Sequence, residues 1–131
     1  MKLASINPSN NEVLGEVEVS TQAEIDGKVA LARKAQQGWR DLGIDGRNKI
    51  LRKFYDLLEN NKQELAELQS KEMGMIISES IGDIEGDLEY LRWYSDHAAD
   101  HLAPYTTFES DTEIHRAYRE PRGVVASIIP W

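Results

Sequence analysis

A chain of 131 residues with 40% hydrophobic composition is one domain's worth of sequence, enough to bury roughly two thirds of its unfolded surface if it folds alone. Its 15 basic residues stand against 23 acidic ones, a formal charge of -8, which leaves no basic footprint for nucleic acid or an anionic membrane surface. The sequence contains no cysteine, which excludes disulfides, thiolate nucleophiles and cysteine-held zinc and fits a reducing compartment. No apolar run approaches the roughly 20 residues of a membrane span, and Met1 to Ala4 leads into no signal-peptide core, so the expected location is the cytoplasm.

In chain order, Leu3 to Val19 reads as a hairpin: apolar residues flank Asn7-Pro8-Ser9-Asn10-Asn11, which is turn chemistry. Thr21 with Glu24 three positions on is a capping-box pattern, so a helix is expected there, with Ile25, Val29, Ala32, Ala35 and Trp39 on its inward face. Gly43 breaks that pattern, and Asp45 is positioned to cap a second helix carrying Ile50, Leu51, Phe54, Leu57, Leu58, Leu65 and Leu68. Asn60-Asn61 can divide this stretch in two, and Gly74 suits a C-terminal cap. A further helix is expected from about Ser78 to Leu102, with Ile81, Ile84, Leu88, Leu91, Ala98 and Leu102 as its stripe. Gly82 and Gly86 lie inside it, each costing up to about 1 kcal/mol relative to alanine.

After Pro104 the texture becomes extended. Thr112 to Tyr118 reads as a strand, Glu120-Pro121-Arg122-Gly123 as a turn, and Val124, Val125, Ile128 and Ile129 as a strand buried on both faces of a parallel sheet. Such a strand needs neighbours and a covering helix, and no such residues follow in this sequence.

The order of these elements, together with Ile6-Asn7-Pro8, Gly15-Glu16-Val17, Trp39-Arg40, Lys71-Glu72-Met73-Gly74, Leu91-Arg92-Trp93-Tyr94, Arg119-Glu120-Pro121-Arg122-Gly123-Val124-Val125 and Ile128-Ile129-Pro130-Trp131, resembles the opening of the NAD(P)-dependent aldehyde dehydrogenase superfamily. The likeness spans essentially the whole chain, with Met75 a local departure where many members carry lysine. It implies a partial α/β fold: an N-terminal β-hairpin, three to four long amphipathic helices, an oligomerisation strand and the first strand of a Rossmann-like cofactor domain. The expected division is residues 1–110 for the hairpin and helices, 111–120 for the oligomerisation strand and 121–131 for the truncated cofactor-sheet strand, all one incomplete unit.

The family's chemistry is thiolate attack on an aldehyde, hydride transfer to NAD or NADP, and hydrolysis of the thioester, with an asparagine among the oxyanion donors. The resemblance therefore implies an inactive amino-terminal fragment: the catalytic cysteine, glutamate and asparagine fall beyond Trp131. It places Ile128, Ile129, Pro130 and Trp131 beside the dinucleotide, although on the residues alone they read as core, and this chain by itself is expected to hold no cofactor. It also places Gly82, Gly86 and Tyr90, at intervals of four, along a substrate tunnel. The plainer reading, preferred on the residues, is glycines for close helix packing and Tyr90 as a half-buried core aromatic. Expected partners are copies of the chain or the remainder of the enzyme. A small aldehyde enters only in the complete enzyme, and succinate semialdehyde is the one suggested by the motifs.

Other signals carry less. His97 and His101 lie four apart with Asp96 and Asp100 adjacent, yet no third ligand is visible, so they read as solvated histidines. The Asp83, Glu85, Asp87, Glu89 series points in different directions around a helix and reads as a solvated acidic surface. The alternative to an enzyme fragment is a non-catalytic helical module that binds a partner chain through its apolar face.

Overall fold

The computed structural model describes residues 1–129. Strands β1 (Lys2–Ile6) and β2 (Val13–Glu18) form the expected antiparallel hairpin. Asn7 drives its turn: the side-chain Oδ1 accepts from the Ser9 amide at 2.9 Å and from Ser9 Oγ at 2.7 Å. Its own amide donates to Glu12 O at 2.9 Å, and Asn11 takes the left-handed conformation at φ 62°. Asparagine tolerates that region because its short polar side chain bonds locally. Asn7 is accordingly one of the few buried residues in the chain.

Helix α1 (Gln22–Asp41) starts at the capping box read from the sequence. Glu24 N donates to Thr21 Oγ1 at 3.3 Å, and Thr21 N donates to Glu24 Oε2 at 2.7 Å. The Thr21 amide, followed by its hydroxyl, holds the Glu24 carboxyl below its ordinary range. A depressed carboxyl stabilises the fold fully above the ordinary glutamate value and ceases to as pH falls through the depressed one. Acid titration below the ordinary glutamate range should therefore fray α1 in the parent chain. Glu24→Gln, which leaves the Thr21 cap in place and removes the titrating carboxyl, should remove most of that acid sensitivity in far-ultraviolet circular dichroism. An unchanged acid profile in the variant would mean that the box does not govern the helix start.

The inward face expected for α1 is not buried. Ile25, Val29 and Trp39 are all at least 40% exposed, and no residue of α1 is buried. Helical periodicity shows which face is apolar; covering it requires a neighbour, and only the C-terminal end of α1 meets one. There Arg47 Nη1, from the next helix, donates to Trp39 O at 3.4 Å and Arg40 O at 3.3 Å, carbonyls of the last turn of α1.

Helix α2 (Gly43–Asn60) begins at Gly43 (φ 65°) with Leu42 as its cap residue, so Asp45 lies in the first turn and does not cap it. The left-handed glycine turns the chain between α1 and α2, which fixes the helix start ahead of the aspartate. The division at Asn60-Asn61 is as expected: Asn61 Nδ2 caps Leu57 O at 2.7 Å, and α3 (Lys62–Met73) follows. It ends at Gly74 (φ 73°), whose amide donates to Ser70 O at 2.9 Å, the left-handed cap anticipated from the sequence.

Helix α4 (Ile77–Leu102) runs antiparallel across both α2 and α3. Four cross-links record its direction, since α2 reaches α4 at Ser95 and Asp96 whereas α3, later in the chain, reaches it at Glu85 and Asp83. Asn48 Nδ2 donates to Ser95 O at 2.6 Å and Arg52 pairs with Asp96 at 2.8 Å. Lys62 pairs with Glu85 at 2.8 Å and Gln69 Nε2 donates to Asp83 at 2.6 Å. Glu85 foremost, then Glu59, holds the Lys62 ammonium above its ordinary range. Half of the acidic series expected to be solvated is thus engaged, because Asp83 and Glu85 face α3. Ala66 and Leu88 are the buried apolar residues of this layer, with Ser80 and Ser95 buried beside them. Ser80 Oγ has no hydrogen-bond partner among the described residues.

The strand expected within Thr112 to Tyr118 is β4 (Ile114–Ala117), and it pairs antiparallel with β3 (Tyr105–Glu109), a partner absent from the sequence reading. The expected buried strand over Val124 to Ile129 carries no ladder pairing. Val125 is 75% exposed and Ile128 95% exposed. A parallel-sheet strand is held by neighbours on both edges and helices on both faces, and the described residues supply neither.

Candidate functional site

The long helix α4 has two unlike sides. A period of 3.6 turns Ile84, Leu88, Leu91, Ser95 and Ala98 toward α2 and α3, where each is buried or half-buried. The same period carries Gly82, Gly86 and Tyr90 along another side. A Cβ built at Gly82 or Gly86 meets nothing within 4 Å, and Tyr90 is 68% exposed. Among the described residues no helix packs closely on the glycines, and Tyr90 is exposed where the preferred sequence reading made it a half-buried core aromatic. The glycines leave an open shelf with Tyr90 at its end.

An aromatic ladder continues the exposed side. The Trp93 indole stacks on the His97 imidazole with centroids 4.5 Å apart and planes 17° apart, and His101 lies 5.8 Å from the indole. Tyr94 meets Trp93 edge-on at 5.2 Å. His97 Nδ1 lies 2.8 Å from Trp93 O. The histidines are exposed, as expected, but they are ordered by the indole rather than surrounded by water alone. The spacing of Trp93, His97 and His101 at steps of four was the available signal for this stack. Among the described residues, no group of three or more His, Cys, Asp or Glu side chains converges.

The segment expected beside a dinucleotide is tied down at its start. Arg119 Nη1 donates to Ala103 O at 3.4 Å and its guanidinium sits 5.2 Å from the centre of the Tyr105 ring. Glu120, Pro121 and Gly123 then line a surface pocket with Trp39, Ile44 and Leu102 at the α1–α2 corner. Farther on, Ile129 lines a groove with Leu58, Leu65, Leu68 and Ile84. From α4 that groove takes Asp83, Ile84 and Asp87, not Gly82 or Gly86. Ile128 projects into solvent. Pro130 and Trp131 lie outside the described residues.

The sequence model of the aldehyde dehydrogenase family matches residues 1–131. The chain belongs to that family. A probable NADP(+)-dependent succinate-semialdehyde dehydrogenase of Synechocystis is 31% identical over 131 residues, all of this chain but 29% of the relative. A malonate-semialdehyde dehydrogenase of Listeria monocytogenes is 35% identical over 96% of this chain and 26% of its own length. Among solved structures, a succinate-semialdehyde dehydrogenase of Burkholderia pseudomallei superposes with a TM-score of 0.78 at 27% identity, covering 86% of this chain and 23% of that one. This aldehyde dehydrogenase chain thus spans between a quarter and a third of the length of these curated relatives, and its mixed helix-and-strand architecture matches their amino-terminal portion.

There is no cysteine to attack an aldehyde. The carboxylates nearest the glycine shelf are engaged in part with Gln69 and Lys62, and neither pair offers a poised acid and base.

Proposed function

We propose that this chain is the amino-terminal part of an enzyme that oxidises an aldehyde to a carboxylic acid with NAD or NADP, and that by itself it is inactive and holds no dinucleotide. The observation that carries the reading is a family match running from the first residue to the last while covering under a third of the relatives' length. In the complete enzyme Ile128, Ile129, Pro130 and Trp131 would form an apolar wall of the cofactor site. The exposed isoleucines suit that role, since an apolar face can lie against an aromatic base. They offer no donors for a pyrophosphate, and the sequence has no Gly-x-Gly-x-x-Gly turn, which supports an incomplete cofactor site.

Gly82, Gly86 and Tyr90 would line the passage for the aldehyde, their open shelf leaving room for a substrate chain. The hairpin of β3 and β4 would serve assembly with copies of the chain or with the rest of the enzyme, because an exposed strand edge invites pairing. The setting is the cytoplasm; among the described residues no helix is long and apolar enough to cross a membrane. Succinate semialdehyde is one substrate such an enzyme would take, the one named for two of the relatives.

The test is an assay of the purified chain with NAD, NADP and a panel of aldehydes. The expected result is a rate equal to that of a heat-killed control and no saturable quenching of tryptophan by either dinucleotide. Turnover above the control would overturn inactivity, and saturable binding would overturn the incomplete cofactor site.

A further inference from the structure

We infer that His97 and His101 form a two-imidazole binding site for a divalent transition-metal ion on the exposed side of α4. The argument begins with the proton on His97. Its Nδ1 lies 2.8 Å from the Trp93 carbonyl, and a carbonyl oxygen only accepts, so Nδ1 carries the hydrogen and the neutral ring keeps its lone pair on Nε2. A hydrogen bond from one ring nitrogen to a backbone carbonyl is the arrangement that fixes tautomer and ring orientation in metal-bound histidines.

His101 is one helical turn further on, and the two ring centroids are 6.4 Å apart with planes tilted by 36°. Two imidazoles bound through Nε2 at ~2.1 Å to a single cation have centroids about 5 to 6 Å apart. Sharing one ion requires both rings to turn about their side-chain torsions and their centroids to close by roughly 1 to 2 Å. Both side chains are exposed, and among the described residues the ring stacked on them is the Trp93 indole. The indole of Trp93 lies against both rings, at 4.5 and 5.8 Å, and limits the orientations they lose on binding.

With no third protein ligand converging there, water completes the coordination. Two nitrogen ligands and water suit copper(II) and nickel(II), and the general order of divalent affinities places copper first. The neighbouring Asp96 is engaged with Arg52, so the imidazoles define the site.

The experiment is titration of the full 131-residue chain with copper(II) and, separately, nickel(II), read by calorimetry and by quenching of tryptophan fluorescence. The expected result is one equivalent bound, copper more tightly than nickel. His97→Ala and His101→Ala should each weaken binding by at least about tenfold, since each removes the gain from joining two ligands on one scaffold. His115→Ala, which alters the remaining histidine, should change nothing. Circular dichroism on each variant verifies the helix, which exposed substitutions leave intact. Parent-like affinity in either His97→Ala or His101→Ala would overturn the site, as would loss of binding in His115→Ala.

Discussion

Leu88→Ala should lower the urea midpoint of this chain more than any other single truncation of an apolar side chain. Leu88 is 2% exposed, on the face of α4 that packs against α2 and α3. Removing a buried leucine side chain costs about 2 to 5 kcal/mol, because the cavity only partly collapses. The only other wholly buried apolar side chain among the described residues is Ala66, so little else in the layer shares the load. Domains of this size have about 5 to 15 kcal/mol in total, and a core so thin belongs at the low end. The expected trace is a broad, early transition. Leu57, on α2 but 62% exposed, is the control: Leu57→Ala should shift stability by no more than about 0.5 kcal/mol. Coincident midpoints for the two variants would show that the α2–α4 and α3–α4 seams do not hold the fold.

The second large effect is expected at Gly74→Val. Two independent penalties meet at this position. The backbone is left-handed at φ 73°, which costs a residue with a Cβ roughly 1 to 2 kcal/mol and a β-branched one more. The added Cβ would also stand 3.0 Å from Pro8 Cγ, tighter than ordinary contact, so the proline ring at the hairpin turn must give by a few tenths of an ångström, which loads the hairpin. Its nearby link to α3, Ser5 Oγ donating to Glu72 Oε1 at 2.7 Å, would go with it. Gly74→Asn separates the two, since asparagine accepts the left-handed region yet keeps the Cβ. Urea unfolding should rank the variants wild type, then Gly74→Asn, then Gly74→Val, with faster amide exchange in β1 and β2 for both. Unchanged exchange in the hairpin would dispose of the contact argument.

Local chemistry was legible in the sequence and tertiary context was not. The Thr21–Glu24 box, the Asn7 turn, the Asn60-Asn61 division and the Gly74 cap each depend on a few neighbouring residues. All four stand where the residues imply. Asp45 is a local exception, because the left-handed Gly43 starts α2 ahead of it; the apolar faces that differ share one cause. Ile25, Val29 and Trp39 read as an inward face, and Val124 to Ile129 as a buried strand, because apolar periodicity implies a covering layer without supplying one. Gly82 and Gly86 failed likewise: two glycines four apart suit close packing or open space equally, and only coordinates distinguish them. Strand β3 could have been found, for Tyr105-Thr106-Thr107-Phe108 is rich in β-branched and aromatic residues. Its pairing with β4 carries a bulge between Thr106 and Phe108, which no sequence pattern announces.

The grip of Arg47 on the last carbonyls of α1 has a mechanical consequence. A helix held along its side resists rotation about every axis, whereas α1 is held at one end, with every residue from Gln22 to Ala35 exposed. Its 20 residues span about 30 Å at 1.5 Å per residue, so a small angular change at the guanidinium becomes a long sweep at Thr21. Helix α1 is a lever hinged at its α2 end, where the Gly43 turn and Arg47 hold it, and whatever seats its far end sets the angle of the whole arm.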